Sequence, residues 1–201
     1  MSANYKQLEK FAKDIERLNE QQKEEFIIAC CKELAARLLR DVIANTPVGE
    51  RPERPKEQDG AVIGVNGGKR SFLTAEEANF EQYWGDYQGG TLRRGWTVET
   101  HEEAESGKEV SIKKWCDSVS VKRTGDIYVL DIVNPVEYAA YVEYGHRQEA
   151  GRYVPAIGRK LKKSWVDGRL MLTKAEVRLN AMSESILAKK LRKFIKEAFD
   201  E

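Results

Sequence analysis

The stretch from Asn134 to Gly145, NPVEYAAYVEYG, constrains the fold of this chain more than any other. Asn134 reads as a helix N-cap and Pro135 as a first helical residue, where its missing N–H is no loss. Glu137 places a carboxylate three residues after the cap, able to reach back to its amide, and Gly145 supplies the C-terminal stop. A helix of about ten residues is marginal alone in water. Packing of Tyr138, Tyr141, Val142 and Tyr144 is therefore expected to hold it. The run before it, IYVLDIV, is nearly continuously apolar, as in a central strand, and the turn residues Thr124, Gly125 and Asp126 make an antiparallel hairpin the simplest pairing.

Helices are expected on either side of this strand and helix. Leu8, Phe11, Ile15 and Leu18 recur at helical spacing, and after Asn19 a second pattern runs through Ile27, Cys31, Leu34, Leu38 and Val42. Pro47 disfavours the α conformation at Thr46 and ends that helix near Asn45. Residues 48–90 then lack a clear period and read as a long loop or insertion, with a short helix possible in EEANFEQYW. Leu92, Trp96 and Val98 oppose Arg93, Thr97 and Glu99, which predicts a half-buried strand. A second strand segment, with either a break or a bulge at Lys113 and Lys114, is expected from Val110, Ile112, Trp115, Val119 and Val121. After a loop with Pro155 and an apolar segment about Trp165, Thr173 to Glu176 forms a capping box. Leu187, Leu191, Phe194 and Ala198 then make the stripe of a last helix. The expected class is α+β: N-terminal helices, a central antiparallel sheet with a short helix packed on it, and C-terminal helices. One domain is expected over residues 1–201, with an insertion at 48–90 and a helical extension at 159–201.

With 34 basic and 33 acidic residues, a net charge of +1 gives no whole-molecule field toward DNA or an anionic membrane. No apolar run approaches the roughly 20 residues of a membrane span, and the polar MSANYKQLEKF differs from a signal peptide. The protein is expected to stay in the cytoplasm where it is made. Its three cysteines, Cys30, Cys31 and Cys116, have neither CxxC nor disulfide-framework spacing, which fits a reducing compartment.

Candidate chemistry is sparse. His101 and His146 lie in different contexts without a second His or Cys at metal-ligand spacing, and His146, just past a helix end, fits the helix's negative pole. GVNGGKRS resembles a phosphate loop only superficially, because its first glycine would fall at Ile63. Glu137 and Glu143 are accounted for by a cap and by a solvated or intersubunit helix face. No nucleophile, base and metal set converges, so the expectation is no catalysis, no metal and no cofactor. In residues 159–196 twelve Lys and Arg outnumber the acidic residues. They fit the solvated face of amphipathic helices, with non-specific contact to DNA as the alternative. Phe80, Tyr83, Trp84 and Tyr87, in a segment too polar to be core, are candidate interface residues.

Two sets of residues carry a resemblance to a known family. ANTPVG, holding Thr46, Pro47 and Val48, is followed after the insertion by GGTLRRGW, holding Gly90, Leu92, Arg93 and Trp96. Then come a strand ending in Asn134, the segment YAAYVEYGHR with Tyr138, Ala139, Tyr141, Val142, Glu143 and Gly145, and RYVPA with Arg152 and Pro155. These resemble the split TPV, LR, YAxYVExG and PA signatures of the phage tail-completion family, also described as minor tail components or head-tail joining proteins. His146 stands where the family pattern has threonine. The insertion and the basic C-terminal region resemble the variants of contractile-tailed phages and tail-like particles. The resemblance implies a non-enzymatic ring, usually hexameric, at the head-proximal end of the tail. Its neighbours would be the tail tube, a terminator or sheath protein and the head connector or closure protein, with assembly in the bacterial host cytoplasm and incorporation into the virion. A tail terminator or head-closure protein of the same neck is the nearest alternative.

Overall fold

The computed structural model describes residues 20–51, 61–66, 69–74, 84–85, 87–154 and 159–199. The helix predicted from Leu8 to Leu18 lies outside these residues, as do Phe80, Tyr83 and Pro155. The class is α+β, mostly helical, and the chain divides into two compact units, each assembled from separated segments.

The first unit comprises Met1–Asn45, Val110–Val133 and Met171–Glu201. Its frame is an antiparallel pair of long helices, α1 (Glu20–Asn45) and α6 (Met171–Phe199). Phe26 stacks on Phe194 with ring centroids 4.5 Å apart, and near the other end Arg178 donates to Asp41 at 2.7 Å. Cys30, Ala35, Leu39 and Val42 on α1 are buried, as are Met171 and Ala175 on α6. Spacings of three, four and five residues put them on one stripe of each helix, the arrangement that lets a helix bury one face. α6 starts two residues before the predicted capping box, so Thr173 lies inside it, and the two helical patterns foreseen near the C-terminus are one continuous helix.

Between these helices in sequence lie α4 (Ile112–Ser118) and a hairpin of β3 (Lys122–Thr124) and β4 (Ile127–Val129). The strand foreseen around Val110 and Ile112 is a helix because Ser111 caps it, accepting from the Lys114 N–H at 3.2 Å. The hairpin forms as expected, with Thr124 opposite Ile127 across Gly125 and Asp126. It is short and open, however. Ile127 is 65% and Val133 68% exposed, so IYVLDIV is not a buried central strand.

The second unit comprises Thr46–Glu109 and Asn134–Leu170. The insertion carries a hairpin, β1 (Ala61–Asn66) with β2 (Lys69–Thr74), in register from Ala61 opposite Thr74 to Asn66 opposite Lys69. Two short helices follow, α2 (Thr91–Arg94) and α3 (His101–Glu105), where a strand was predicted over Leu92 to Glu99. Thr100 caps α3 by accepting from the Glu103 N–H, and the Glu103 carboxylate accepts from the Glu99 N–H. The Lys108 ammonium beside Glu103 holds its carboxyl below the usual range. The unit ends with α5 (Ala139–Tyr144), β5 (Gly145–Arg147), β6 (Tyr153–Val154), β7 (Arg159–Lys160) and β8 (Trp165–Asp167). β5 pairs with β8 and β6 with β7, both antiparallel, so the described strands form four two-stranded sheets.

Candidate assembly surface

The two halves of the TPV and LR signature lie more than forty residues apart in sequence, and the fold closes them onto each other. The Trp96 Nε1–H donates to Thr46 Oγ1 at 2.8 Å, and both residues are buried. The Arg93 guanidinium donates to the Thr46 carbonyl from Nη2 at 2.8 Å and from Nε at 3.3 Å. Arg94 donates to the carbonyls of Gly89, at 2.9 Å, and Ala104, at 2.8 Å. Gly90 takes φ 77°, a left-handed conformation that favours glycine, and a side chain there would meet Arg94. Thr46, Gly90, Leu92, Arg93 and Trp96 are thus a clasp that seals the base of the insertion.

Asn134 joins the same clasp. Its Nδ2–H donates to the Leu92 carbonyl at 2.9 Å, while its Oδ1 accepts from the Val136 N–H at 3.1 Å. The asparagine side chain therefore makes a local turn rather than the predicted cap, and α5 starts at Ala139, five residues later. The Glu137 N–H donates to His101 Nδ1 at 3.4 Å, and the His101 and Tyr138 rings meet edge to face. Partial burial pushes the Tyr138 phenol up, although 41% of the residue stays exposed.

α5 is held differently from the sequence expectation. Tyr141 is 60% and Tyr144 66% exposed, whereas Glu143, expected on a solvated or intersubunit face, is buried. The helix is fixed through its backbone: the N–H groups of Arg169 and Leu170 donate to the carbonyls of Val142, at 2.7 Å, and Glu143, at 3.0 Å. Gly145 ends it as predicted, at φ 83°, with a close approach to β8 that leaves no room for a Cβ, which would sit 2.4 Å from the Val166 carbonyl oxygen. His146 is placed in β5, with its ring edge to face on Tyr141 at 5.6 Å and Nδ1 buried without a hydrogen-bond partner.

What α5 and the pairs after it offer to the outside is aromatic. Tyr138, Tyr141, Tyr144, Tyr153 and Trp165 are all exposed on this unit. The β5 and β8 pairing sets Arg147 opposite Trp165 and His146 opposite Val166. Of the interface residues expected from sequence, Trp84 and Tyr87 form an edge-to-face pair 4.8 Å apart. The Tyr87 hydroxyl lies against Gly49, so this pair packs on the start of the insertion beside Val48. Arg152 is exposed, and Pro47 and Ala139 are half-buried. Tyr141 and Tyr144, expected to pack, are instead exposed, and Tyr153 and Trp165, which the sequence pattern does not mark as interface residues, are exposed as well. The signal available was their setting, aromatic residues among charged and small ones in short, turn-rich segments.

Among the described residues, no three His, Cys, Asp or Glu side chains group as a metal site, and no helix is long and apolar enough to cross a membrane. The three cysteines are free. A family model described as "Bacteriophage HK97-gp10, putative tail-component" matches residues 9–145, a span that runs from the first helical pattern through the clasp to the end of α5. No curated protein and no solved structure matches the chain significantly. By that match, the chain belongs to the HK97-gp10-like family of bacteriophage tail components.

Proposed function

We propose that this protein is a non-catalytic structural subunit that forms a ring at the head-proximal end of a phage tail, completing the tail and joining it to the head. The carrying observation is the exposed aromatic set, Tyr138, Tyr141, Tyr144, Tyr153 and Trp165, on a unit whose backbone is pinned by the clasp, within a tail-component family. Tyrosine and tryptophan dominate the energetics of protein interfaces, and a heterologous contact repeated around a ring needs on the order of 1,000 Å². Each such side chain supplies 150 Å² or more, roughly. The ring, hexameric by family resemblance, would meet the tail tube with its terminator or sheath on one side and the head connector or closure protein on the other. Assembly in the host cytoplasm follows from that role. The insertion hairpin and the basic last helix favour a contractile tail or tail-like particle.

Negative-stain electron microscopy of the purified protein is expected to show rings, and the double variant Tyr141→Glu, Tyr144→Glu to leave folded monomers. Monomers only, for the unmodified protein at tens of micromolar and in the presence of tail tubes, would sink the ring. Particles lacking the gene should appear as full heads beside tails of normal length, whereas overlong tubes would mean tail termination instead.

The second reading, a DNA-contacting accessory role, is favoured by the exposed Lys189, Arg192, Lys193 and Lys196 on α6. It predicts a salt-dependent DNA mobility shift that disappears when Lys189, Lys190, Arg192 and Lys193 are neutralised.

A further inference from the structure

The β5–β8 and β6–β7 pairs are two stretches of one ribbon. Between them the Gln148 N–H donates to the Ser164 carbonyl at 3.0 Å, and the Gly151 and Leu161 N–H groups donate to the carbonyls of Leu161 and Arg152, each at 2.8 Å. Residues 145–154 thus run antiparallel to residues 159–167, with a turn over Glu149 to Arg152 where Gly151 takes φ 88°. Both members of the cross-strand pairs Arg147–Trp165 and Tyr153–Lys160 are exposed. The ribbon is therefore held by its backbone ladder rather than by burial of its side chains.

Six cations stand on it, Arg147, Arg152, Arg159, Lys160, Lys162 and Lys163, and all are exposed. The same residues hold two carboxylates, Glu149 and Asp167, which leaves a net +4. The whole chain carries only +1, so everything outside the ribbon is net −3 and the positive charge is concentrated here. Among the described residues none of the six cations is in an ion pair, whereas Lys108, Lys122 and Arg178 elsewhere each meet a carboxylate. Like charges gathered on one narrow element repel one another, and a polyanion laid along them relieves that repulsion.

We propose that this ribbon is a sequence-independent binding site for double-stranded DNA, with the six cations contacting backbone phosphates. A two-stranded ribbon is of a size that the major groove admits, and a duplex offers one phosphate charge per roughly 1.7 Å of its axis, enough to engage cations along both strands of the ribbon. The site is separate from the α6 cations. There Lys190 already donates to the Ala29 carbonyl and Lys193 already meets Glu197.

Fluorescence anisotropy of a labelled short duplex, titrated with the full chain at several salt concentrations, tests the proposal. Six phosphate contacts give a log–log salt slope of about −5, a loss of affinity of about a thousandfold between about 50 and 200 mM salt. Replacing Arg159, Lys160, Lys162 and Lys163 together by Gln should cut the slope by about three to four. An unchanged circular-dichroism spectrum and a slowly exchanging Trp96 indole N–H would show that variant to be folded. Neutralising Lys189, Arg192 and Lys193 on α6 should leave the slope as it was. No binding at about 50 mM salt overturns the proposal, as does a slope that the α6 substitutions remove and the ribbon substitutions do not. Polyglutamate that displaces the protein as well as unlabelled duplex does, charge for charge, would overturn it in favour of an acidic protein partner.

Discussion

At the residue scale Thr46 ties the clasp through two oxygens. Thr46 Oγ1 is the acceptor for the buried Trp96 indole, and the Thr46 carbonyl is the acceptor for Arg93. Thr46→Val keeps the shape but leaves the indole N–H without its partner at a buried position, which costs about 1–3 kcal/mol. Urea denaturation should show that loss, and Thr46→Ser, which keeps the acceptor, should recover much of it. Gly145→Ala places a Cβ 2.4 Å from the Val166 oxygen at a φ of 83°, so a loss of about 2 kcal/mol or more is expected in the same measurement. The thiols make a pH prediction. Burial pushes Cys30 and Cys116 up. Below the ordinary thiol value of about 8.5 both folded and unfolded chains keep these protons, and their contribution is intact. As pH rises through that value the unfolded chain loses its protons first, so stability should fall on the alkaline side. Alkylation of Cys30 and Cys116 at pH 8 should correspondingly be slower than that of a thiol in a short peptide, and equal rates would contradict it.

At the element scale the α1 and α6 pair depends on its apolar stripe more than on its ion pairs. Leu39 is fully buried, while Arg178 and Asp41 meet at a partly exposed edge. Leu39→Ala should cost about 2–5 kcal/mol and Arg178→Ala under about 1 kcal/mol, by thermal or urea unfolding followed at the helical circular-dichroism band. These helices were legible in the sequence because a long 3.6-residue period has few rivals, and Pro47 marked the end of α1 to the residue. Short elements were not. Leu92 and Trp96 are four residues apart, a spacing that suits one face of a strand and one face of a helix equally, and Gly90 and Arg94 decided for the helix. Ser111 is a cap that the apolar alternation around it conceals. The hairpin in the insertion had its own signal, AVIGVN and KRSFLT on either side of Gly67 and Gly68, obscured by the proline and charge that precede it. Tyr141 and Tyr144 were read as packing because aromatic residues at helical spacing usually are. Their exposure follows from contacts distant in sequence, the backbone bonds from Arg169 and Leu170 that fix α5 without them.

At the scale of the whole molecule, the chain passes between its two compact units at Asn45 and Thr46, at Glu109 and Val110, at Val133 and Asn134, and at Leu170 and Met171. Each unit is therefore built from pieces that no single cut can separate, yet the clasp draws all its residues from one of them. Removing residues 171–201 deprives α1 of its long antiparallel partner, together with the buried Met171 and Ala175, and should leave an apolar face that an unsupported helix cannot keep folded in water. The same truncation removes none of Thr46, Arg93, Trp96 or Asn134. The truncated chain should lose the circular-dichroism signal of the long helices while the Trp96 indole N–H, bonded to Thr46, stays slow to exchange in proton NMR. Simultaneous loss of both signals would instead make the two units one cooperative block, and the aromatic surface on α5 would then depend on the long helices as much as on its clasp.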